Sequence, residues 1–146
     1  TYADYFPPIV RTLMQYDFPA MRVEADGELI CDEPALVFVG NIPRYAWGLP
    51  ICKRARFDDG LLDLVIYRCH NRRQLVAHSV RTVFWDHVRH PKVTYRQVEH
   101  AVVRCDRPIS LQVDGDDCGQ LPAEFTMAGE KVRLLCPPSA GATSNE

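Results

Sequence analysis

The spacing of apolar and polar positions changes several times along the chain, and each change marks a predicted element. Over residues 4–16, Pro7 and Pro8 stand where a first helical turn tolerates proline, and Ile9, Val10, Leu13 and Met14 follow at helical spacing, which predicts a short amphipathic opening helix. Residues 21–24 and 29–31 flank Asp26-Gly27, a dipeptide suited to a two-residue turn with φ > 0 at both positions, so two strands joined as a hairpin are predicted. The continuous apolar run 35–39 ends at Gly40-Asn41 and reads as a strand buried on both faces.

Residues 40–60 carry Gly40, Pro43, Gly48, Pro50 and Gly60, too much punctuation for regular structure, together with Ile42, Tyr45, Trp47, Leu49 and Ile51, which oppose disorder. A long ordered loop is predicted there, and long ordered loops usually serve function. Residues 61–67 form an apolar strand. A helix is predicted over 72–88, where Leu75, Val76, Ser79, Val80, Val83, Phe84 and Val88 keep a 3.6-residue period, Asn71 serves as N-cap with Gln74 three residues on, and Pro91 lies beyond the end. Residues 93–103, the alternating segment 109–113, and residues 124–127 and 132–135 then read as strands. Many short strands with about two short helices predict a mainly β fold, a two-layer β-sandwich, over residues 1–137, followed by a disordered tail over 138–146.

Composition narrows the class without naming a function. The 146 residues are 47% hydrophobic and 25% charged, near the globular average, and a chain of this length buries about two thirds of its extended surface. Seventeen basic against nineteen acidic residues lack the footprint of a nucleic-acid binder. No apolar run approaches the length of a membrane span, and the start is not a signal peptide; without an initiator Met the chain reads as a fragment or processed piece. Six widely spaced cysteines with no C-x-x-C pair predict reduced cytosolic thiols and no zinc site.

Two segments could carry chemistry. In residues 54–63, Asp58 and Asp59 enter a glycine turn before a strand; such a place can hold a hard cation through one carboxylate and nearby carbonyls, or be an Asx-type turn bonding backbone N–H groups. In residues 111–117, an alternating strand runs into Asp114, Gly115, Asp116 and Asp117; such acids can position a cation or accept a hydroxyl proton, or sit in a solvated hairpin turn. His78 and His87 on the predicted helix read as surface or core-edge residues, and Arg44, Lys53, Arg54 and Arg56 as phosphate ligands or loop solvators. The usual hydrolase, P-loop and dinucleotide motifs do not occur.

Taken together, residues 37–41 before a glycine-rich loop, then residues 55–64, then Gln112-Val113-Asp114-Gly115-Asp116 followed by Leu121-Pro122-Ala123, resemble the diacylglycerol kinase catalytic superfamily, in particular the bacterial lipid kinases related to sphingosine and ceramide kinases. The resemblance implies a C-terminal β-sandwich domain that works with an N-terminal domain carrying a nucleotide-binding G-G-D-G-T motif, which this sequence lacks. It implies ATP bound only by that partner domain, a lipid alcohol as substrate, and an isolated chain without activity. It further implies a structural Mg²⁺ on the Asp59 side chain and the carbonyls of Arg56 and Leu61, and a proton-accepting acid at Asp114 or Asp116, where Asp116 replaces the family's Glu. Trp47 stands where relatives often have glycine. A cytoplasmic location with peripheral membrane contact, and self-association through apolar surface left by the missing domain, follow from the same resemblance. The competing class is a non-catalytic β-sandwich used for binding or assembly, whose acids are only turns.

Overall fold

The computed structural model describes residues 17–45 and 48–129. The predicted opening helix, the strand at 132–135, the tail, Trp47 and Cys136 lie outside the described residues. Within them the chain runs β1 (Ala20–Ala25), β2 (Glu28–Gly40), β3 (Leu62–Arg68), α1 (Arg72–Phe84), a single 3-10 turn (His87–Arg89), β4 (Val93–Val98), β5 (His100–Arg104), β6 (Ser110–Val113), β7 (Asp116–Gln120) and β8 (Ala123–Thr126). The fold is mainly β and sandwich-like. No helix among the described residues is long and apolar enough to cross a membrane.

Six strands lie side by side in the order β4-β3-β2-β1-β5-β8, all neighbours antiparallel, while β6 and β7 form a separate ribbon. This order forces the sheet to fold over. Laid flat, β4 and β5 would stand four strand spacings apart, about 19 Å at about 4.8 Å each. Only Glu99 joins them, and one intervening residue spans at most about 7 Å. The sheet therefore curls until its β4 edge meets β5, and two layers enclose one core.

Alternation decides what fills that core. Met21, Val23 and Ala25 of β1, Cys31 and Ala35 of β2, Leu62, Leu64 and Ile66 of β3, Val98 of β4, and Ala101 and Val103 of β5 all turn to the concave face, with Ile109, Leu121 and Phe125 packed at its margin. The opposite face of β2, β3 and β4 carries a second core of Val65, Tyr67 and Val93, covered by Ile51, Cys52 and Ala55 of the 41–61 loop. Strand β3 is thus covered on both sides.

The Asp26-Gly27 hairpin forms as predicted, with φ of 48° and 81° at its two turn residues. The segments predicted as separate strands at 29–31 and 35–39 are one strand, β2. Pro34 does not break it, because Pro34 sits where pairing passes from β1 to β3 and its carbonyl accepts from Cys69 N at 2.9 Å. The single strand predicted over 93–103 is divided at Glu99, where the chain changes layers. Strand β7 carried no apolar alternation to predict it, since all five of its residues are exposed.

The helix begins as predicted: Asn71 Oδ1 accepts from Gln74 N at 3.0 Å, and Gln74 Oε1 accepts from His70 N at 2.8 Å. It ends at Phe84 instead of 88, and its orientation corrects the expectation. The buried line is Leu75, His78 and Thr82, whereas Val76, Val80, Val83 and Phe84 face outward. Polar contacts set this rotation: the Tyr67 and Thr82 hydroxyls are bonded at 3.0 Å, and His78 Nε2 bonds to Arg68 O at 3.0 Å. The five described cysteines are free thiols.

His78 and His87 are buried, not surface residues. His87 stacks on Tyr67 and its Nε2 bonds to Ile51 O at 3.0 Å. Burial lowers both pKa values from the ordinary 6.5. Below pH 6.5 the unfolded chain therefore binds protons that the folded chain resists, and stability falls as pH drops through the window between unfolded and folded values. The urea midpoint should be lower at pH 5.5 than at pH 7.5, and His87→Gln should reduce that difference; an equal pH response in wild type and variant would remove His87 from this role.

Candidate functional site on the 41–61 loop and the β6–β7 hairpin

Strand β2 ends at Gly40, where a Cβ would come within 2.9 Å of Cys52 Sγ, so the missing side chain lets the loop lie against the strand. Burial of Cys52 pushes its thiol up to about 12, so it packs as a neutral group. Four bonds fix the loop to its surroundings. His87 holds the Ile51 carbonyl, Lys53 Nζ donates to Trp85 O at 2.9 Å, Tyr45 OH donates to Gln112 Oε1 at 3.0 Å, and Arg54 N donates to Tyr95 OH at 2.9 Å. The described residues of the loop pack against the sheet through Leu49, Ile51, Cys52 and Ala55, in keeping with the expected long ordered loop.

At its far end the loop turns at Gly60, with φ of 76°. Asp59 Oδ1 accepts from Leu61 N at 3.0 Å, and Asp59 Oδ2 accepts from Gln97 Nε2 at 2.9 Å. One end of the Asn41 side-chain amide lies 3.1 Å from Arg56 O and 3.2 Å from Leu61 O; assigned as the nitrogen, it donates to both, and the two carbonyls converge on one point next to the Asp59 turn. Asp58 is elsewhere engaged: its exposed ion pair with Arg56, 3.2 Å apart, holds its carboxyl below the usual range. The three residues named for a cation, Arg56, Asp59 and Leu61, are thus brought together on one turn. Their oxygens are hard donors of the kind Mg²⁺ takes, and the Asx-type turn is also formed.

Beneath this turn lies a charged residue that the sequence reading did not single out. Asp63 is fully buried, directly opposite Gln97 in the β3–β4 register. Its Oδ1 accepts from Tyr95 OH at 2.5 Å, and its Oδ2 has no hydrogen bond to a described residue. Burial, and then the nearby Asp59 charge, push its carboxyl above the usual range. Tyr95 therefore joins the sheet interior to the loop: its hydroxyl donates to Asp63 and accepts from Arg54 N, two residues before Arg56.

The acids proposed for proton transfer lie on a different element. Asp114 and Gly115 form the two-residue turn of the β6–β7 hairpin, with φ of 52° and 103°, flanked by the pair Val113 and Asp116. Asp114 and Asp116 are exposed, and their side chains make no hydrogen bond or ion pair with described residues, while Asp117 Oδ1 accepts from Gly119 N at 3.0 Å. The hairpin's link to the loop is the Tyr45–Gln112 bond. Among the described residues no three His, Cys, Asp or Glu side chains form a metal cluster.

Asn41, Asp63, Tyr95 and Gln97 were missed as site residues. An aspartate inside the apolar run 61–67 was a usable signal, because a buried acid demands partners. Tyr95 and Gln97 lie over thirty residues away from Asp63 in sequence and meet it only through strand register.

A curled antiparallel sheet with a glycine-terminated strand feeding an Asp-Gly loop defines a β-sandwich-like domain. The chain belongs to the family described as YegS C-terminal NAD kinase beta sandwich-like domain, whose model matches residues 1–136. It is 29% identical over 117 residues to a diacylglycerol kinase of Staphylococcus carnosus (strain TM300), covering 80% of this chain and 38% of that protein. A diacylglycerol kinase of Staphylococcus aureus (strain JH9) is 28% identical over the same length, with 37% of it covered. The chain thus spans well under half the length of these relatives. Among solved structures, a diacylglycerol kinase from Bacillus anthracis str. Sterne superposes with a TM-score of 0.60 at 19% identity, over 80% of this chain and 41% of that one, which shows the shared fold.

Tyr95→Phe should lower stability by about 1–3 kcal/mol, because it strips the Tyr95 hydroxyl from a buried carboxylate and frees Arg54 N. Asp63→Asn keeps the acceptor for Tyr95 and should lose less. Equilibrium urea unfolding of both variants measures this, and a Tyr95→Phe protein as stable as wild type would show that the pair supports nothing.

Proposed function

We propose that this chain is the lipid-side domain of a diacylglycerol- or sphingosine-type lipid kinase, which phosphorylates a lipid hydroxyl with ATP held by a separate N-terminal domain. The observation that carries the reading is the convergence of the Arg56 and Leu61 carbonyls beside Asp59, in a chain whose family model covers residues 1–136. The much greater length of the diacylglycerol kinase relatives supports a partner domain. On this reading the isolated chain does not transfer phosphate, since it carries no G-G-D-G-T segment.

The residues divide the work. Arg56 O, Asp59 and Leu61 O are the ligands offered to Mg²⁺, and Asn41 marks the point at which the two carbonyls meet. Bound there, Mg²⁺ would fix the loop and set a positive charge at the wall of the cleft. Asp116 or Asp114 takes the proton of the lipid hydroxyl as its oxygen bonds to the γ-phosphorus and ADP leaves. Tyr45, through Gln112, keeps the hairpin that carries these acids against the glycine loop.

The second reading, a non-catalytic binding or assembly module, draws on two observations: both Asp59 oxygens are already bonded, and Asp114-Gly115 is a complete hairpin turn. The two readings separate by orders of magnitude. In the protein with its nucleotide-binding domain, Asp114→Asn and Asp116→Asn are measured for turnover and for melting temperature. A base contributes about 10²- to 10⁴-fold to rate, so one variant should fall by that amount with folding intact. A solvated turn acid shifts stability by less than about 0.5 kcal/mol, and turnover within about tenfold of wild type for both variants would leave only the turn.

The cation site has its own test. Asp59→Asn should weaken the Mg²⁺ response of that activity and also the gain in thermal stability that Mg²⁺ gives the protein. If both responses are unchanged, Asp59 is a turn residue and no more.

A further inference from the structure

Helix α1 leaves on its outer side a stripe that its packing does not use. On a 3.6-residue period Val76, Val80, Val83 and Phe84 fall within about 100° of the helix circumference, opposite the buried line of Leu75, His78 and Thr82. Trp85 continues the stripe, with its ring 5.9 Å from that of Phe84; the two are 61% and 72% exposed. Scattered exposed apolar residues mean little, but five on one ridge form a contiguous patch.

Charge around the patch is predominantly positive. Residues 71–92 hold Arg72, Arg73, Arg81, Arg89 and Lys92 against the single acid Asp86, a net of +4, in a chain whose net is −2, which leaves −6 for all the rest. Asp86 is already paired, to Arg89 at 3.1 Å and to Lys53 at 3.6 Å. Arg72, Arg73 and Arg81 are exposed and make no ion pair among the described residues. Arg72 and Arg81 border the stripe on its two sides, and Arg73 stands at its N-terminal end, where their long side chains can reach past the apolar ridge.

We propose that this face of α1 docks on an anionic lipid bilayer, with Val76, Val80, Val83, Phe84 and Trp85 entering the interface and the arginines meeting lipid phosphates. An apolar ridge with aromatic residues at one end and a basic border is the geometry of an interfacial helix. A second copy of the chain is a poor occupant, because a two-fold contact across this face sets arginine against arginine. The inference takes from the lipid-kinase reading only the reason for a membrane address; the surface stands on its own residues.

Flotation with vesicles of phosphatidylcholine alone, and with about 30 mol% phosphatidylglycerol added, tests it on the purified protein. The protein should float with the anionic vesicles only, and about 0.5 M NaCl should release it. In a Trp47→Phe background the emission of Trp85 should shift to the blue on binding. Val80→Asp, and separately Phe84→Ser, should cut the bound fraction by about tenfold or more with the melting temperature kept, and Arg72→Gln with Arg73→Gln should do the same through charge. Absence of vesicle binding, binding that ignores these substitutions, or a dimer that Val80→Asp turns into a monomer would overturn the proposal. In the protein with its nucleotide-binding domain, phosphorylation of a water-soluble short-chain diacylglycerol separates the two readings: Val80→Asp should retain that activity while losing activity on vesicles. If the protein with its nucleotide-binding domain binds vesicles through α1 but phosphorylates no lipid, the kinase reading falls and the membrane surface stands.

Discussion

A single residue, Glu99, joins two strands that the sheet order places at different positions, and the architecture follows from closing that gap. The six-stranded sheet has to curl, and β2 is the strand around which it does so, since its first half pairs with β1 and its second half with β3. The junction is then held by a residue from the far end of a hairpin. Asp26 Oδ1 accepts from Glu99 N at 3.1 Å and from His100 N at 2.9 Å, and Asp26 N donates to His100 O. Arg96 of β4 reaches Glu28 at the start of β2, 2.6 Å away. Asp26 thus does two things at once: it accepts the left-handed turn conformation that a bulkier residue resists, and it satisfies the backbone groups freed where the chain changes layers.

Curling one face inward leaves the other face of β2, β3 and β4 uncovered, and this is why the 41–61 loop carries so many apolar residues. Ile51, Cys52 and Ala55 cover Val65, Tyr67 and Val93, so the loop is as much a part of the fold as a strand. The price is a polar interior, because a loop brings backbone groups that need partners. Tyr95 and His87 supply them from the sheet and the 3-10 turn. Asp63 sits beneath with one oxygen bonded, and its burial is tolerated because the Tyr95 hydroxyl points at it. The candidate cation turn is therefore placed by the second core: move Tyr95, and Arg54 and the carbonyl of Arg56 lose their reference.

Much of this was legible in the sequence, and what was not has a physical cause. The Asp26-Gly27 turn, the Asn71 cap and the apolar runs are local signals, and each forms where the residues require it. The segments 29–31 and 35–39 run on as one strand because a proline ends a strand only where its missing N–H is needed, and at Pro34 pairing changes hands. Helix α1 kept its period but not its expected facing: valines at helical spacing suggest a core face, yet the Thr82 hydroxyl and the His78 ring found partners on β3 and turned the valines outward. The acids of residues 54–63 and 111–117 were visible at once, whereas Asn41, Tyr95 and Gln97 depend on register between distant segments, which no local pattern encodes.

The two groups of acids sit on parts of the molecule that differ in stiffness. The Asp59 turn is bonded to Gln97 of the six-stranded sheet and backed by the second core, while the β6–β7 ribbon is two-stranded, exposed along its length, and tied back by the Tyr45–Gln112 bond and by Leu121 N donating to Ile109 O at 2.9 Å. An isolated two-stranded ribbon is marginal in water. A group that takes a proton in phosphoryl transfer has to be held to about 0.5 Å, a tighter hold than an isolated two-stranded ribbon has in water. A surface packed against the hairpin would provide it. On the kinase reading that surface belongs to the nucleotide-binding domain, so the same contact that delivers ATP also orders the acid, and the β-sandwich contributes half of a site whose geometry is completed only between two domains.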